Sequence, residues 1–291
     1  MHVLVAGATG AVGRLLVPML LNAGHQVTGI SRSASGLEQV RRTGASAVQA
    51  DALDRDGMRN AVMPAEPDAV VHQLTALSNA DGEATNRLRK EGTRNLVDAA
   101  KSAGARSIVV QSISWAYEPG EAPADETVPL DVTAEQPRAG MVDGIQTMEE
   151  TAAEMDTAVS LRFGILYGPG TWYAPGGAVA AALSGDPAAH LLAYLEADRS
   201  VTSFVHVADA ARATVAALDW PSGPVNIVDD EPSEGRQWVP VLADALGAPA
   251  PAAGSERQSW ARGASNSLAR SRGWQPDHTT WRTGFAQQGP T

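Results

Sequence analysis

The chain has 291 residues, 44% hydrophobic and 19% charged, the composition of a globular protein long enough for one large α/β domain, with or without a small appendage. A net charge of -11 argues against nucleic-acid and anionic-membrane partners, and the absence of cysteine excludes disulfides, a thiolate nucleophile and thiolate metal sites. No apolar stretch approaches the roughly 20 residues needed to cross a bilayer, and the N-terminal one is too short for a signal-peptide core, so a cytoplasmic protein is expected.

Val3, Leu4 and Val5 form an apolar run of the kind a buried parallel strand uses. Gly7-Ala-Thr-Gly10-Ala-Val-Gly13 follows, and then Leu15, Leu16, Met19 and Leu20 recur at helical intervals. Strand, glycine turn and helix in that order are what a dinucleotide fingerprint requires. Gly7 permits the tight turn, Gly10 the approach of a diphosphate and Gly13 the close packing of helix on strand. Thr9, Ala11 and Val12 complete the cofactor-binding stretch, whose free amides and positive dipole end face the phosphates.

Further along, Gln26–Ile30, Ala47–Ala50, Ala69–Gln73 and Ser107–Gln111 read as strands. Between them, residues 36–43, 55–62 and 83–103 read as helices, the last closed by Gly104. That alternation implies βαβ units and a parallel, doubly wound sheet. Residues 116–140, with four prolines, suit a surface loop. Helix is expected over 141–155, 178–184, 209–218 and 237–246, strand over 158–162, 203–207 and 224–228, and loop over 167–177. The chain reads as one integrated domain with a Rossmann core over 1–165 and a mainly substrate-binding region over 166–291.

Several motifs agree on a family. Asp51-Ala-Leu, Glu91-Gly-Thr-Arg-Asn-Leu-Val-Asp-Ala-Ala100, Ser112-Ile-Ser, Leu161-Arg-Phe-Gly-Ile-Leu-Tyr-Gly-Pro-Gly170, Phe204-Val-His-Val-Ala-Asp209, Val225-Asn-Ile-Val228 and Gly273-Trp-Gln-Pro follow the glycine motif in order. With them the sequence resembles the NAD(P)-dependent epimerase/dehydratase family of short-chain dehydrogenase/reductases. The resemblance implies a Rossmann core with a smaller C-terminal substrate region. It places Asp51 and Ala52 near adenine, Leu74 and Thr75 along the cofactor, and Gly164, Ile165 and Leu166 beside the nicotinamide. It also implies a small-molecule substrate and pairing of two copies through helices flanking the active-site strand.

The end of the second strand separates NADP(H) from NAD(H), because a carboxylate there accepts from the ribose 2′-hydroxyl and repels a 2′-phosphate. Here the strand ends in Ser31, Arg32 and Ser33, with no carboxylate before Glu38. Arg32 can fork onto a phosphate while Ser31 or Ser33 donates to it, so NADP(H) is favoured.

The family's usual Tyr-x-x-x-Lys is missing. The residues four after the tyrosines are Glu121, Thr171, Gly177 and Asp198, and the only lysines are Lys90 and Lys101. Counting back from Glu149 and Glu150 places the missing pair near Val142 and Gln146. Ser112 matches the family's catalytic serine, Tyr117 can reach back to the same crevice, Tyr173 lies on a loop the family sets over the substrate, and Asp143 is a further candidate acid. Gln146 can bond the nicotinamide ribose in place of lysine, without its charge. Each also has a bland reading as a cap, a core edge or a solvated face. The expected activity is reduction of a C=O, C=N or C=C bond in a small hydrophobic molecule, and an acceptor as reactive as an iminium would need no Tyr–Lys acid. A non-redox cyclase, dehydratase or epimerase is the alternative, followed by a catalytically dead NADP sensor. His72 and His206 read as structural, and no zinc spacing is present.

Overall fold

A computed structural model describes residues 1–76, 81–186 and 195–286. In chain order the first elements are β1 (His2–Ala6), α1 (Gly13–Asn22), β2 (Gln26–Ser31), α2 (Ala34–Arg42), β3 (Ser46–Gln49), α3 (Arg55–Val62) and β4 (Ala69–His72). Next come α4 (Gly82–Arg87), α5 (Thr93–Ser102), β5 (Ser107–Ile113), α6 (Arg138–Ala152), β6 (Thr157–Phe163), β7 (Ile165–Tyr167), α7 (Ala178–Leu183), β8 (Val201–Thr202) and β9 (Phe204–His206). The chain continues with α8 (Val207–Ala216), β10 (Gly223–Ile227), β11 (Ser233–Glu234), α9 (Gly235–Ala245), α10 (Ser267–Ser271) and α11 (Trp281–Ala286).

Seven strands form one sheet in the order β10-β6-β5-β4-β1-β2-β3, matching the Rossmann-type expectation. The strand order reverses between β1 and β4, which pair in parallel from Val3↔Ala69 to Ala6↔His72. In open α/β sheets such a reversal opens the crevice where ligands bind, just past the strand ends. The strands that frame it are wholly interior: Val3, Leu4, Val5, Val70 and Val71 are each 0% exposed. Buried on both faces, they need no polar alternation, which is why they read as continuous apolar runs.

The chain packs as two compact units: Met1–Ser112 with Val132–Leu161 and Ala211–Pro224, and Ile113–Asp131 with Arg162–Ala210 and Val225–Thr291. Each unit is woven from separated stretches of the chain. Among the described residues no helix is long and apolar enough to cross a membrane.

Three local features differ from expectation. The single helix over 83–103 is interrupted by a π-helical turn at Leu88–Gly92 between α4 and α5. Gly92 packs there against Ala52, and the extra residue in the turn re-phases the buried face so that Thr93 meets His72. The sequence carries no signal for β7; it pairs with β9 from Ile165↔Phe204 to Tyr167↔His206, and three residues are too few to show a periodicity. Helix α6 starts at Arg138, inside the stretch read as loop.

Candidate functional site

The glycine turn is built as its spacing requires. Gly7 has φ +93°, a conformation L side chains rarely adopt, and a Cβ there would lie 2.6 Å from the Gln73 carbonyl oxygen. A Cβ on Gly13 would overlap the Gly7 carbonyl oxygen and lie 2.8 Å from the Ala8 carbonyl, so only hydrogen fits where α1 meets the turn. Gly10 is roomier, with the Gly7 oxygen 3.3 Å from its Cβ position. The Gly10 amide donates to Gly7 at 3.0 Å, Arg14 to Gly10 at 3.0 Å and Leu16 to Val12 at 2.9 Å. The amides of Ala11, Val12 and Gly13 find no acceptor among the described residues, and Val12 has no side-chain group to cap the helix. Unpaired amides at a helix N-terminus are donors prepared for an anion, so this turn fits the diphosphate of a dinucleotide.

Around the turn, Ser31 is 8% exposed and its Oγ accepts from the Ser33 amide at 3.4 Å. Ser33 caps α2, accepting from Gly36 at 3.1 Å. Arg32 is exposed; its carbonyl accepts from Gln49, while its guanidinium has no partner among the described residues and is free to reach an anion. Asp51 accepts from the Leu53 amide at 3.0 Å, and the carbonyl of buried Ala52 accepts from Asn95 at 2.8 Å. Leu74 and Thr75 are half-buried just past β4, and the Leu74 amide donates to His72 Nδ1 at 3.2 Å. That bond puts the His72 proton on Nε2, which donates to Thr93 Oγ1 at 2.9 Å. Burial holds the His72 pKa near 4, so it is a neutral, satisfied structural residue.

The catalytic candidates fall in different surroundings. Ser112 is fully buried, and its Oγ donates to Glu149 Oε1 at 2.6 Å. On α6, Val142 is 1% exposed, Gln146 donates to Glu150 at 2.8 Å, and exposed Asp143 pairs with Lys90. Tyr117 and Tyr173 belong to the other unit and to two separate apolar clusters within it. The Tyr117 hydroxyl donates to Asn226 Oδ1 at 2.7 Å beneath the Arg162 guanidinium, and burial pushes its pKa up to about 12. Tyr173 packs among Phe204 and Trp238, and burial raises its pKa as well. Both phenols are therefore held protonated, whereas the family's acid depends on a lysine that draws the phenol pKa down. Gly164 donates to Ile227 at 3.0 Å and Ile165 to Ser203 at 2.8 Å, and a Cβ on Gly164 would lie 2.7 Å from the Ser203 oxygen. Leu166 is half-buried in β7.

Two features had no signal in the sequence. Arg89, in the π-helical turn, has only Asn86 as hydrogen-bond partner, at 3.1 Å, and no carboxylate among the described residues. Burial lowers its pKa to about 10. His206, Asp209 and His278 also meet: the two rings stack at 3.7 Å with planes 21° apart, and His278 Nδ1 donates to Asp209 at 3.1 Å. The trio is a ring stack anchored by a carboxylate, with one ligand atom of each residue within 4.8 Å of the others.

The model of the NAD dependent epimerase/dehydratase family matches residues 3–228. A Streptomyces protein named 3-diazoavenalumate denitrifying reductase is 43% identical over 99% of this chain and 100% of its own length. Among solved structures, the Thermus thermophilus UDP-glucose 4-epimerase in complex with NAD has a TM-score of 0.74 at 23% identity, covering 98% of this chain and 97% of that one. The Thermotoga maritima UDP-glucose 4-epimerase has a TM-score of 0.76 at 19% identity, covering 99% and 97%. At those identities the two structures establish the fold alone.

Proposed function

Because the chain belongs to the NAD dependent epimerase/dehydratase family, we propose that it is an NADP(H)-dependent reductase that places hydride on a small apolar carboxylate bearing a diazonium group, with loss of dinitrogen. The coarser statement, an NAD(P)-dependent oxidoreductase of the short-chain type, rests on the family and on the named reductase together. The finer one is carried by a single observation, 43% identity from end to end with a reductase whose name specifies a diazo substrate and loss of nitrogen.

The chemistry suits the residues. Reduced nicotinamide, when bound, supplies a hydride. At a diazonium carbon the C–H bond forms from the hydride pair while the C–N bond breaks and its electrons leave with N2. Cation and hydride give neutral products, so no side chain has to deliver a proton. Carbonyl reduction, by contrast, leaves an oxyanion that must be protonated. Val142 and Gln146 near the positions where the family has tyrosine and lysine, and two phenols made weaker acids by burial, suit chemistry of the first kind.

In this assignment the amides of Ala11, Val12 and Gly13 hold the diphosphate, and Arg32 with Ser31 and Ser33 holds the 2′-phosphate. Asp51 and Ala52 border the adenine. Leu74 and Thr75 border the remaining cofactor, with Gln146 on the ribose. Arg89, half-buried and with no carboxylate partner among the described residues, suits the substrate carboxylate. Ser112, Tyr117, Tyr173 and Asp143 carry no proton-transfer role.

The test is incubation of purified protein with carboxybenzenediazonium and NADPH deuterated at its transferable hydrogen, against an enzyme-free blank. Benzoate carrying one deuterium per NADPH consumed is expected. Benzoate formed without deuterium, or at the blank rate, would overturn the proposal.

A further inference from the structure

Gln73 follows β4 directly, and its amide donates to the Ala6 carbonyl at 2.8 Å, so it stands opposite Gly7 at the point where the strand order reverses. The residue is 6% exposed, and both ends of its carboxamide, Nε2 and Oε1, are buried with no hydrogen-bond partner among the described residues. Native proteins rarely leave one buried polar atom unpaired, and two on one side chain are a standing cost in the nucleotide-free chain. Leucine or methionine would fill the same volume without it. The adjoining helix α1 presents its own unpaired amides from Ala11 to Gly13. Two independent sets of orphaned polar groups therefore border the same turn.

We propose that Gln73 is a binding residue for the diphosphate–ribose stretch of the dinucleotide, its Nε2 donating to the phosphate on the nicotinamide side and its Oε1 accepting from a hydroxyl of the ribose beyond that phosphate. This rests on the cofactor assignment above. A carboxamide offers an uncharged donor and an acceptor side by side, and phosphate next to ribose hydroxyl presents the complementary pair. Three side-chain torsions let it turn from its buried rotamer toward a ligand on the turn. The partners it lacks in the free chain are then supplied by the ligand, so relief of the orphaned state adds to affinity.

The inference requires opposite signs in two measurements on Gln73→Leu. Melting of the nucleotide-free variant should be unchanged or higher than wild type, because two unpaired buried groups are removed. Affinity for NADPH and for ADP-ribose, measured by calorimetry, should fall roughly tenfold. Affinity for adenosine 2′,5′-bisphosphate, which lacks the diphosphate link, should not change. Gln73→Met, of similar shape, serves as a second apolar variant and should repeat the pattern. Equal affinity of both variants and wild type for NADPH would overturn the inference, as would an equal loss for all three ligands, which is the mark of a structural role. Wild-type protein that binds neither NADPH nor NADH would instead overturn the cofactor assignment on which the inference stands.

Discussion

Replacing Gly13 by alanine sets two known effects against each other. Gly13 opens α1 and its φ is outside the left-handed region, so helix propensity alone predicts that alanine gains about 1 kcal/mol. The new Cβ, however, would sit 2.8 Å from both the carbon and the oxygen of the Ala8 carbonyl and closer still to the Gly7 oxygen. Comfortable carbon contacts begin near ~3.5 Å. All of these atoms are backbone, so no side chain can swing aside and the start of α1 must move away from the turn. Overpacking of this kind costs about 1–3 kcal/mol, and a rigid obstacle places it at the upper end. The net expectation is a loss of about 2 kcal/mol, or roughly 5 °C in melting temperature for a chain of this size. NADPH affinity should fall with it, since the displaced amides are the donors. Gly10→Ala is the internal control: its Cβ meets one atom at 3.3 Å, so stability should barely change while affinity falls, because the methyl occupies the approach of the diphosphate. A Gly13→Ala protein that melts at or above wild type and binds NADPH unchanged would refute the packing argument.

Arg32→Ala should lower NADPH affinity by about 10- to 100-fold and leave NADH affinity unchanged, the loss of a charge-assisted bond to the 2′-phosphate; equal effects on both cofactors in a titration would remove Arg32 from specificity. Asp229, which accepts from the amides of Trp281 at 2.9 Å and Glu231 at 3.2 Å, has its pKa raised to about 8 by burial, with Glu231 and Asp230 adding to the shift. Over about pH 4–8 the folded chain therefore keeps a proton that the unfolded chain has lost, so this group's stabilisation is present at the acid end and disappears as pH rises through 8. Denaturation midpoints across that window should fall less steeply for Asp229→Asn than for wild type; parallel curves would show that Asp229 is ionised in the folded protein. Tyr117→Phe should cost about 1 kcal/mol by stranding Asn226 Oδ1, with turnover near wild type. A large fall in turnover with a shifted pH profile would instead identify Tyr117 as an acid.

The local features are legible in residue order alone. A run of Val3, Leu4 and Val5 ahead of three spaced glycines and a helical period leaves little choice but strand, turn and helix, because each signal acts over a few residues. The positive φ of Gly7 and the crowded Gly13 are the physical content of that spacing. The missing lysine was likewise legible, since an absence needs no coordinates. The company each side chain keeps is set by the packing of distant segments. Ser112 is 37 residues from Glu149 and Tyr117 is 109 from Asn226, separations at which no periodicity operates. Whether a hydroxyl faces solvent, a carboxylate or an apolar cluster depends on how strands and helices are stacked, and among the described residues that same stacking leaves Arg89 without a counter-charge and both ends of Gln73 without partners. Glutamine after a strand reads as ordinary until the register sets it against Gly7, where burial turns a common residue into an unpaired one.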